Sequence, residues 1–192
     1  MSDKTVSNVA IRVTLDATEE ILGINGLKSL LNYAGLSYIL ENKPEDYSLE
    51  KNYTEQEFSG ITASYYQVLG TSGAKAVMRQ IGRGLAKRSI EVGLFNHLAD
   101  LPPDERFFKM MEIYVMATGK GSVFREGDVV VYDNPVCTNC SGLKEKTPVC
   151  TALNGTFDEY AAWSGFAAEK AVETRCKAMG DDSCRWELKP AE

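Results

Sequence analysis

The stretch VETRCKAMGDDSCRWEL, residues 172–188, decides how the carboxy-terminal part of this chain folds. Its central GDD has the composition of a tight turn. The flanking segments, residues 170–177 and 185–189, are predicted strands, and the turn folds one back on the other. Cys176 and Cys184 are therefore expected to face one another across a hairpin.

Four residues in and before this hairpin have the chemistry of a zinc site. Glu173 lies three positions before Cys176, and Cys150 lies just upstream of the helix that leads into the hairpin. Three thiolates and a carboxylate predict one tetrahedral zinc, held by Cys150, Glu173, Cys176 and Cys184. Such a closed set leaves no position for water, so the zinc would be structural. Neighbouring basic side chains are expected to offset its negative charge: Arg175, Lys177 and Arg185. The alternative is a group of buried free cysteines.

A second pair of cysteines competes for the same role. Cys137 and Cys140 have the Cys-x2-Cys spacing of a metal knuckle and follow a predicted strand. They could form a rival four-cysteine zinc site with Cys176 and Cys184, leaving Glu173 out. They could also belong to an iron–sulfur or redox centre, or be two reduced loop thiols.

Composition excludes several classes of protein. The chain has 192 residues, 44% hydrophobic and 25% charged, which is typical of a globular domain with a substantial core. The formal net charge of −6 argues against nucleic-acid or anionic-membrane binding as the main activity. We find no signal-peptide pattern and no apolar run of membrane-spanning length. With five cysteines and no such signal, the sequence predicts metal-binding thiolates in a reducing cytoplasm.

The periodicity of apolar residues predicts helices first and a small sheet last, which is an α+β fold with a helical layer packed on an antiparallel sheet. A helix is expected from Asp16, as N-cap, to Gly35, followed by a loop over residues 41–53. Thr54 and Glu57 form a predicted capping box. The capped helix is expected to break at residues 70–73 and a longer helix to follow over residues 74–99. Another helix is expected to start at Pro103, followed by a hairpin over residues 123–132 and a helix over residues 151–164. We expect residues 1–50 to form an amino-terminal helical segment and residues 51–192 the main domain.

Other polar features have ordinary predicted roles. The only histidine, His97, is expected to cap a helix, with ligand binding as the alternative. Basic residues recur every four positions on the long helix and predict a solvated face, or else a surface for an acidic partner or phosphate: Lys75, Arg79, Arg83 and Lys87. Gly82 and Gly84 do not follow a strand, so they predict close helix packing and not a nucleotide site.

Four segments together resemble the 4-vinyl reductase domain family, in its stand-alone hydrocarbon-binding form. They are NYAGL, YYQVLGTSGAKAVMRQIGRGL, PVCTALNG and VETRCKAMGDDSCRWEL, and the resemblance covers roughly residues 30–190. It implies a fold shared with haem-type nitric-oxide sensors and Golgi-transport subunits. It also implies an often dimeric ligand-binding domain with an apolar pocket beside a zinc. The zinc pattern of the family's aromatic sensors falls on Cys150, Glu173, Cys176 and Cys184.

The ligand pocket is expected between helices rich in aromatic residues and methionine. The candidate ligand-binding residues are Tyr160, Tyr114, Trp163, Phe107, Met111 and His97. The predicted function is a cytoplasmic small-molecule sensor for an aromatic or hydrocarbon ligand, without chemistry of its own. A homodimer and a separate signalling partner complete this prediction. The alternatives are a reductase or accessory factor in tetrapyrrole metabolism, and a scaffold subunit without a ligand.

Overall fold

Helices dominate the first part of the chain, and one later helix connects two strands of the main sheet. The computed structural model describes residues 3–191. The elements in chain order are β1 (Lys4–Ser7), α1 (Asn8–Tyr33), α2 (Tyr38–Glu41), β2 (Lys51–Thr54), α3 (Glu55–Glu91), α4 (Pro103–Thr118), β3 (Ser122–Glu126), β4 (Val129–Asn134), α5 (Thr151–Ser164), β5 (Val172–Arg175) and β6 (Cys184–Leu188). This confirms the predicted α+β class. In the described part of the chain, no helix has the length and apolar character needed to cross a bilayer.

Two antiparallel sheets accompany the helices. The first pairs β1 with β2, so β1 lies beside the start of α3. The second has the order β3-β4-β6-β5. Its central strands, β4 and β6, pair Tyr132 with Trp186 and Asn134 with Cys184. The chain leaving β4 therefore starts beside the cysteine that begins β6.

Several predicted boundaries are confirmed. Thr54 and Glu57 form the capping box at the start of α3, where the Glu57 amide donates to the Thr54 hydroxyl over 3.1 Å. Pro103 opens α4, as expected for a residue whose missing N–H is not needed in the first turn. The β3–β4 hairpin turns at Gly127, which has a φ of 60°.

Helix α1 begins eight residues earlier than predicted. Its β-branched start weakens the helical signal, yet Ile11 and Leu15, four positions apart, are fully buried on one face. Asp16, the expected N-cap, lies inside the helix and pairs with Arg12 over 2.9 Å and with Lys43 over 2.5 Å. The expected loop over residues 41–53 contains β2, which the sequence analysis missed.

Helix α3 is kinked where a break was expected. Gly70 alone leaves helical geometry, with φ 68° and ψ 169°, and the helix resumes on its far side. The second half ends at Glu91 and not near Ala99, because Gly93 takes a φ of 77°. A short 3-10 turn, Asn96–Leu98, follows.

Helices α3 and α5 cross with their backbones in direct contact. A Cβ atom placed on Gly82 would lie 1.7 Å from the Ala152 carbonyl oxygen, and one on Gly155 would lie 2.1 Å from the Arg79 carbonyl oxygen. Only glycine permits this approach at the two positions. The predicted packing role of Gly82 is confirmed, and the crossing places the start of α5 firmly on α3.

The basic stripe of α3 faces α5, so its prediction as a mainly solvated face was wrong. Arg79 forms an ion pair with Asp158, and the Arg83 guanidinium lies 3.7 Å from the Glu159 carboxylate. Lys75 donates to the Thr147 hydroxyl over 2.7 Å. The acidic partner of the stripe lies in the same chain. Of the four basic residues, Lys87 is exposed as predicted.

Candidate metal centre

Four elements converge on one buried cluster of potential metal ligands. Cys150 immediately precedes α5, Glu173 lies on β5, Cys176 follows that strand, and Cys184 begins β6. The loop after β4 adds two more thiols, Cys137 and Cys140. All six residues are buried, with Glu173 the most exposed of them at 6%. Residues separated by up to 47 positions in sequence thus form one site.

The donor atoms form two overlapping sets that could each hold a metal ion. In one set Cys137, Cys140, Cys150 and Cys184 place their sulfurs within 4.8 Å of one another. In the other, Cys150, Glu173, Cys176 and Cys184 satisfy the same limit. The structure therefore brings together the four predicted ligands. It joins Cys137 and Cys140 to Cys150 and Cys184, whereas the expected rival set contained Cys176 in place of Cys150.

The sulfur separations match tetrahedral coordination. The Sγ–Sγ distances are 3.6 Å for Cys137–Cys150, 3.5 Å for Cys140–Cys184 and 3.8 Å for Cys150–Cys184. With zinc–sulfur bonds of about 2.3 Å, the edge of a tetrahedron is about 3.8 Å. Little movement of the sulfurs is needed to bind an ion.

Glu173 is oriented toward the cluster by the backbone of a neighbouring ligand. Its Oε2 accepts a hydrogen bond from the Cys150 amide over 2.7 Å. Its Oε1 is buried and has no hydrogen-bond partner. An unpartnered buried carboxylate oxygen is costly unless a cation or a proton satisfies it. The donor chemistry of this site therefore fits a metal ion.

Backbone groups, and not the expected basic side chains, lie closest to the thiols. The Lys177 amide donates to Cys184 Sγ over 3.3 Å. The Lys177 ammonium instead contacts the Pro135 carbonyl, and the Arg185 guanidinium pairs with Glu126 and Glu187. Arg175 is exposed. Among the described residues, none of these three side chains donates a hydrogen bond to a sulfur of the cluster or to Glu173, because each has another partner or faces water. That they offset the charge of the ligands stays a prediction.

Burial makes the cluster a poor place for negative charge without a cation. Desolvation and the adjacent Cys176 sulfur raise the pKa of Glu173 to about 9. The neighbouring Cys137 and Cys140 sulfurs, with burial, raise the pKa of Cys150 well above its ordinary value. A divalent cation bound here would favour the ionised carboxylate and thiolates and displace their protons.

A buried hydrogen-bond network, missed in the sequence analysis, fixes α5 to the sheet. The side-chain Oδ1 of Asn154 accepts a hydrogen bond from the Trp186 indole N–H over 3.1 Å, and the side-chain Nδ2 donates to the Ala171 backbone carbonyl over 2.8 Å. The only signal was an amide inside the apolar helix TALNGTF. The network holds the helix after Cys150 against the strand that carries Cys184.

Two of the six candidate pocket residues, Tyr114 and Tyr160, lie in an aromatic cluster between α4, α5 and the sheet. The Tyr114 ring lies 5.7 Å from Tyr132, 5.6 Å from Phe157 and 6.4 Å from Tyr160, measured between centroids. Burial raises the pKa of Tyr160 to about 12.

The remaining candidates are spread around this cluster. Phe107 stacks on Phe166 at 5.0 Å, Trp163 lies 6.1 Å from Phe95, and Met111 is fully buried. His97 is exposed on the 3-10 turn. Two surface depressions of the described residues, one around Lys144 and Met179 and one around Ile90 and Trp163, are open to solvent and lie outside the aromatic cluster.

Comparison with known proteins identifies the fold. No model of a known protein family matches the chain, and no curated protein matches it. A structure from a study of heme distortion in the H-NOX family aligns over 97% of both chains, with 12% identity and a TM-score of 0.64. A mutant of T. tengcongensis H-NOX aligns over 95% of both chains, with 13% identity and a TM-score of 0.61. An H-NOX protein from S. oneidensis in the Fe(II)NO state aligns over 97% of this chain and 100% of its own, with 15% identity and a TM-score of 0.52. The chain therefore has an H-NOX-like fold, as the resemblance implied.

Proposed function

We propose that this protein is a zinc-containing small-molecule sensor of the 4-vinyl reductase type. The observation that carries the proposal is the buried donor cluster, which joins α5 to the β5–β6 hairpin. Zinc at Cys150, Glu173, Cys176 and Cys184 would act structurally, because four protein ligands leave no position for substrate or water. The metal would fix the hairpin and the start of α5, and so the inner face of that helix.

The metal part of the proposal is tested by metal content. Protein grown in zinc-replete medium should contain zinc, and Cys176→Ser should lose it and loosen the β5–β6 hairpin. The helical core should survive, because most of it packs away from the cluster. Thr174→Ala is a matched control, since Thr174 is exposed on the same hairpin. Wild-type protein that contains no zinc after this growth would refute the proposed zinc site.

The residues of this chain offer haem no buried histidine, although heme is named for two of the similar structures. Haem iron is held by an axial histidine in globins and by a cysteine thiolate, a methionine or a tyrosine in other proteins, and the five cysteines of this chain are gathered in the donor cluster. Here the only histidine, His97, is exposed, and aromatic rings contact one another between α4, α5 and the sheet. We therefore propose a ligand much smaller than haem, an aromatic or a hydrocarbon. It would bind beside Tyr114 and Tyr160 when these rings separate.

Thermal-shift measurements test the ligand directly. A ligand at 100 times its dissociation constant should raise stability by about 2.7 kcal/mol, which is a melting shift of roughly 5–10 °C for a chain of this length. The screen should contain phenols, alkylbenzenes, fatty acids and tetrapyrroles. Tyr160→Trp should abolish the shift, whereas Tyr33→Trp, at a residue 60% exposed, should keep it.

The packed aromatic cluster favours one alternative, a scaffold without a ligand. In that case no compound of the screen shifts the melting temperature, and the domain acts through its surface. A homodimer and a separate signalling partner remain part of the sensor proposal. Light scattering that gives the mass of one chain would remove the homodimer.

A further inference from the structure

The cluster contains more ligands than one metal ion can use. A single zinc in the Glu173 set would leave Cys137 and Cys140 as buried thiols, 5% and 3% exposed, beside metal-bound sulfurs. A single zinc in the four-cysteine set would leave Cys176 and Glu173 without an ion. In that case the buried Glu173 Oε1 would still lack a partner. Neither mononuclear site satisfies all six donors.

The two sets overlap at the two thiols in the middle of the cluster. Cys150 and Cys184 belong to both sets, and their sulfurs lie 3.8 Å apart. On one side, Cys137 lies 3.6 Å from Cys150 and Cys140 lies 3.5 Å from Cys184. On the other side, Glu173 and Cys176 complete the second set. This is the arrangement of two tetrahedra that share an edge.

We propose that the cluster binds two zinc ions bridged by the thiolates of Cys150 and Cys184. Cys137 and Cys140 are the terminal ligands of one ion, and Glu173 and Cys176 are those of the other. Each ion then has four protein ligands, the number of a closed structural site. The ion held by Glu173 and Cys176 is the zinc of the proposed function, on which this inference rests. The ion held by Cys137 and Cys140 is the addition.

Charge and ligand chemistry agree with two zinc ions. Binding displaces the thiol protons into solution, so five thiolates and one carboxylate face two divalent cations and leave a formal charge of −2. One zinc on the Glu173 set, with three thiolates and one carboxylate, also leaves a formal charge of −2. The second zinc therefore neutralises the two remaining thiolates without changing the net charge of the site. Thiolates select zinc over magnesium and calcium, which prefer oxygen ligands. An iron–sulfur cluster is disfavoured, because inorganic sulfide between the irons would separate thiolates that here lie within 4.8 Å.

Native mass spectrometry of the full chain, reduced and loaded with zinc, tests the stoichiometry. Wild-type protein and the Thr174→Ala control should carry two zinc ions per chain. The double variant Cys137→Ser/Cys140→Ser and the double variant Glu173→Gln/Cys176→Ser should each carry one. If wild-type protein binds a single zinc and the Cys137→Ser/Cys140→Ser variant still binds it, the proposal of a second ion is refuted and the proposed function is left intact. Wild-type protein without zinc would remove both.

A measurement on the wild type covers the case in which the variants fail to fold. Titration of the zinc-free, reduced protein with Cd²⁺ should increase the thiolate-to-metal absorbance up to two equivalents. With ¹¹³Cd, two NMR resonances that split each other through shared sulfurs are expected. Saturation at one equivalent, or two resonances without mutual splitting, would overturn the bridged site.

Discussion

Replacing Gly82 by alanine should push helices α3 and α5 apart and weaken the whole fold. The added Cβ would lie 1.7 Å from the Ala152 carbonyl oxygen, about 1.3 Å short of the 3.0 Å below which real Cβ contacts essentially do not occur. The obstacle is backbone, so no side-chain rotation can relieve it. One helix must move, and Ala152 lies only two residues after Cys150.

The expected loss follows from two opposing effects. Overpacking a close contact costs about 1–3 kcal/mol, and a clash with backbone belongs at the upper end of this range. Alanine gains up to about 1 kcal/mol over glycine inside a helix. We therefore expect a net loss of about 2 kcal/mol, which lowers the melting temperature by roughly 4–8 °C.

Thermal unfolding followed by circular dichroism measures this loss, with Gly60→Ala as the matched control. Gly60 lies on the same helix, and a Cβ there would meet only the flexible end of Leu36, at 3.3 Å. That variant should be as stable as the wild type, or up to about 1 kcal/mol more stable. Gly82→Ala should also release zinc to a chelator faster, because the start of α5 moves. A Gly82→Ala protein that melts at or above the wild-type temperature would refute the close crossing.

Three further outcomes are expected. Asn154→Leu should lower the free energy of unfolding by about 1–3 kcal/mol, because the Trp186 indole loses its buried acceptor; unchanged melting would contradict this role. Thr54→Ala should cost about 1 kcal/mol through loss of the α3 cap, again measured by thermal unfolding. In zinc-free protein the raised pKa of Glu173 favours the neutral acid. Its contribution to stability is complete below the ordinary pKa of 4.5 and is lost as pH rises toward about 9. Glu173→Gln should flatten this decline in chemical denaturation, and an equally steep decline in that variant would contradict the assignment.

Local signals in the sequence predicted much of the fold. The capping box at Thr54, the proline that opens α4 and the glycine turn of the β3–β4 hairpin each depend on chemistry within a few residues. The start of α1 and the pairing of β1 with β2 were missed. They depend on burial against α3 and on contacts between distant segments, which outweigh the weak local propensities of short β-branched runs.

The candidate metal centre was predictable in its ligands and not in its arrangement. Spacing pointed to the hairpin thiols and Glu173, because Cys176 and Cys184 flank a turn. The register of β4 against β6 lets the loop after β4 bring Cys140 beside Cys184, which the sequence offered only within a rival set, and Cys137 beside Cys150. No local pattern encodes the contact of Cys137 with Cys150. The pairing of Arg79 with Asp158 and of Arg185 with Glu126 was missed for the same reason, since these acidic residues lie far away in sequence.

The most direct test of the account is an anomalous difference map recorded at the zinc absorption edge from crystals of the reduced, zinc-loaded protein. The account predicts an anomalous peak about 2.3 Å from the sulfurs of Cys150, Cys176 and Cys184, with Glu173 as the fourth ligand of that zinc. A cluster without anomalous density, with all five sulfurs as free thiols, would contradict it.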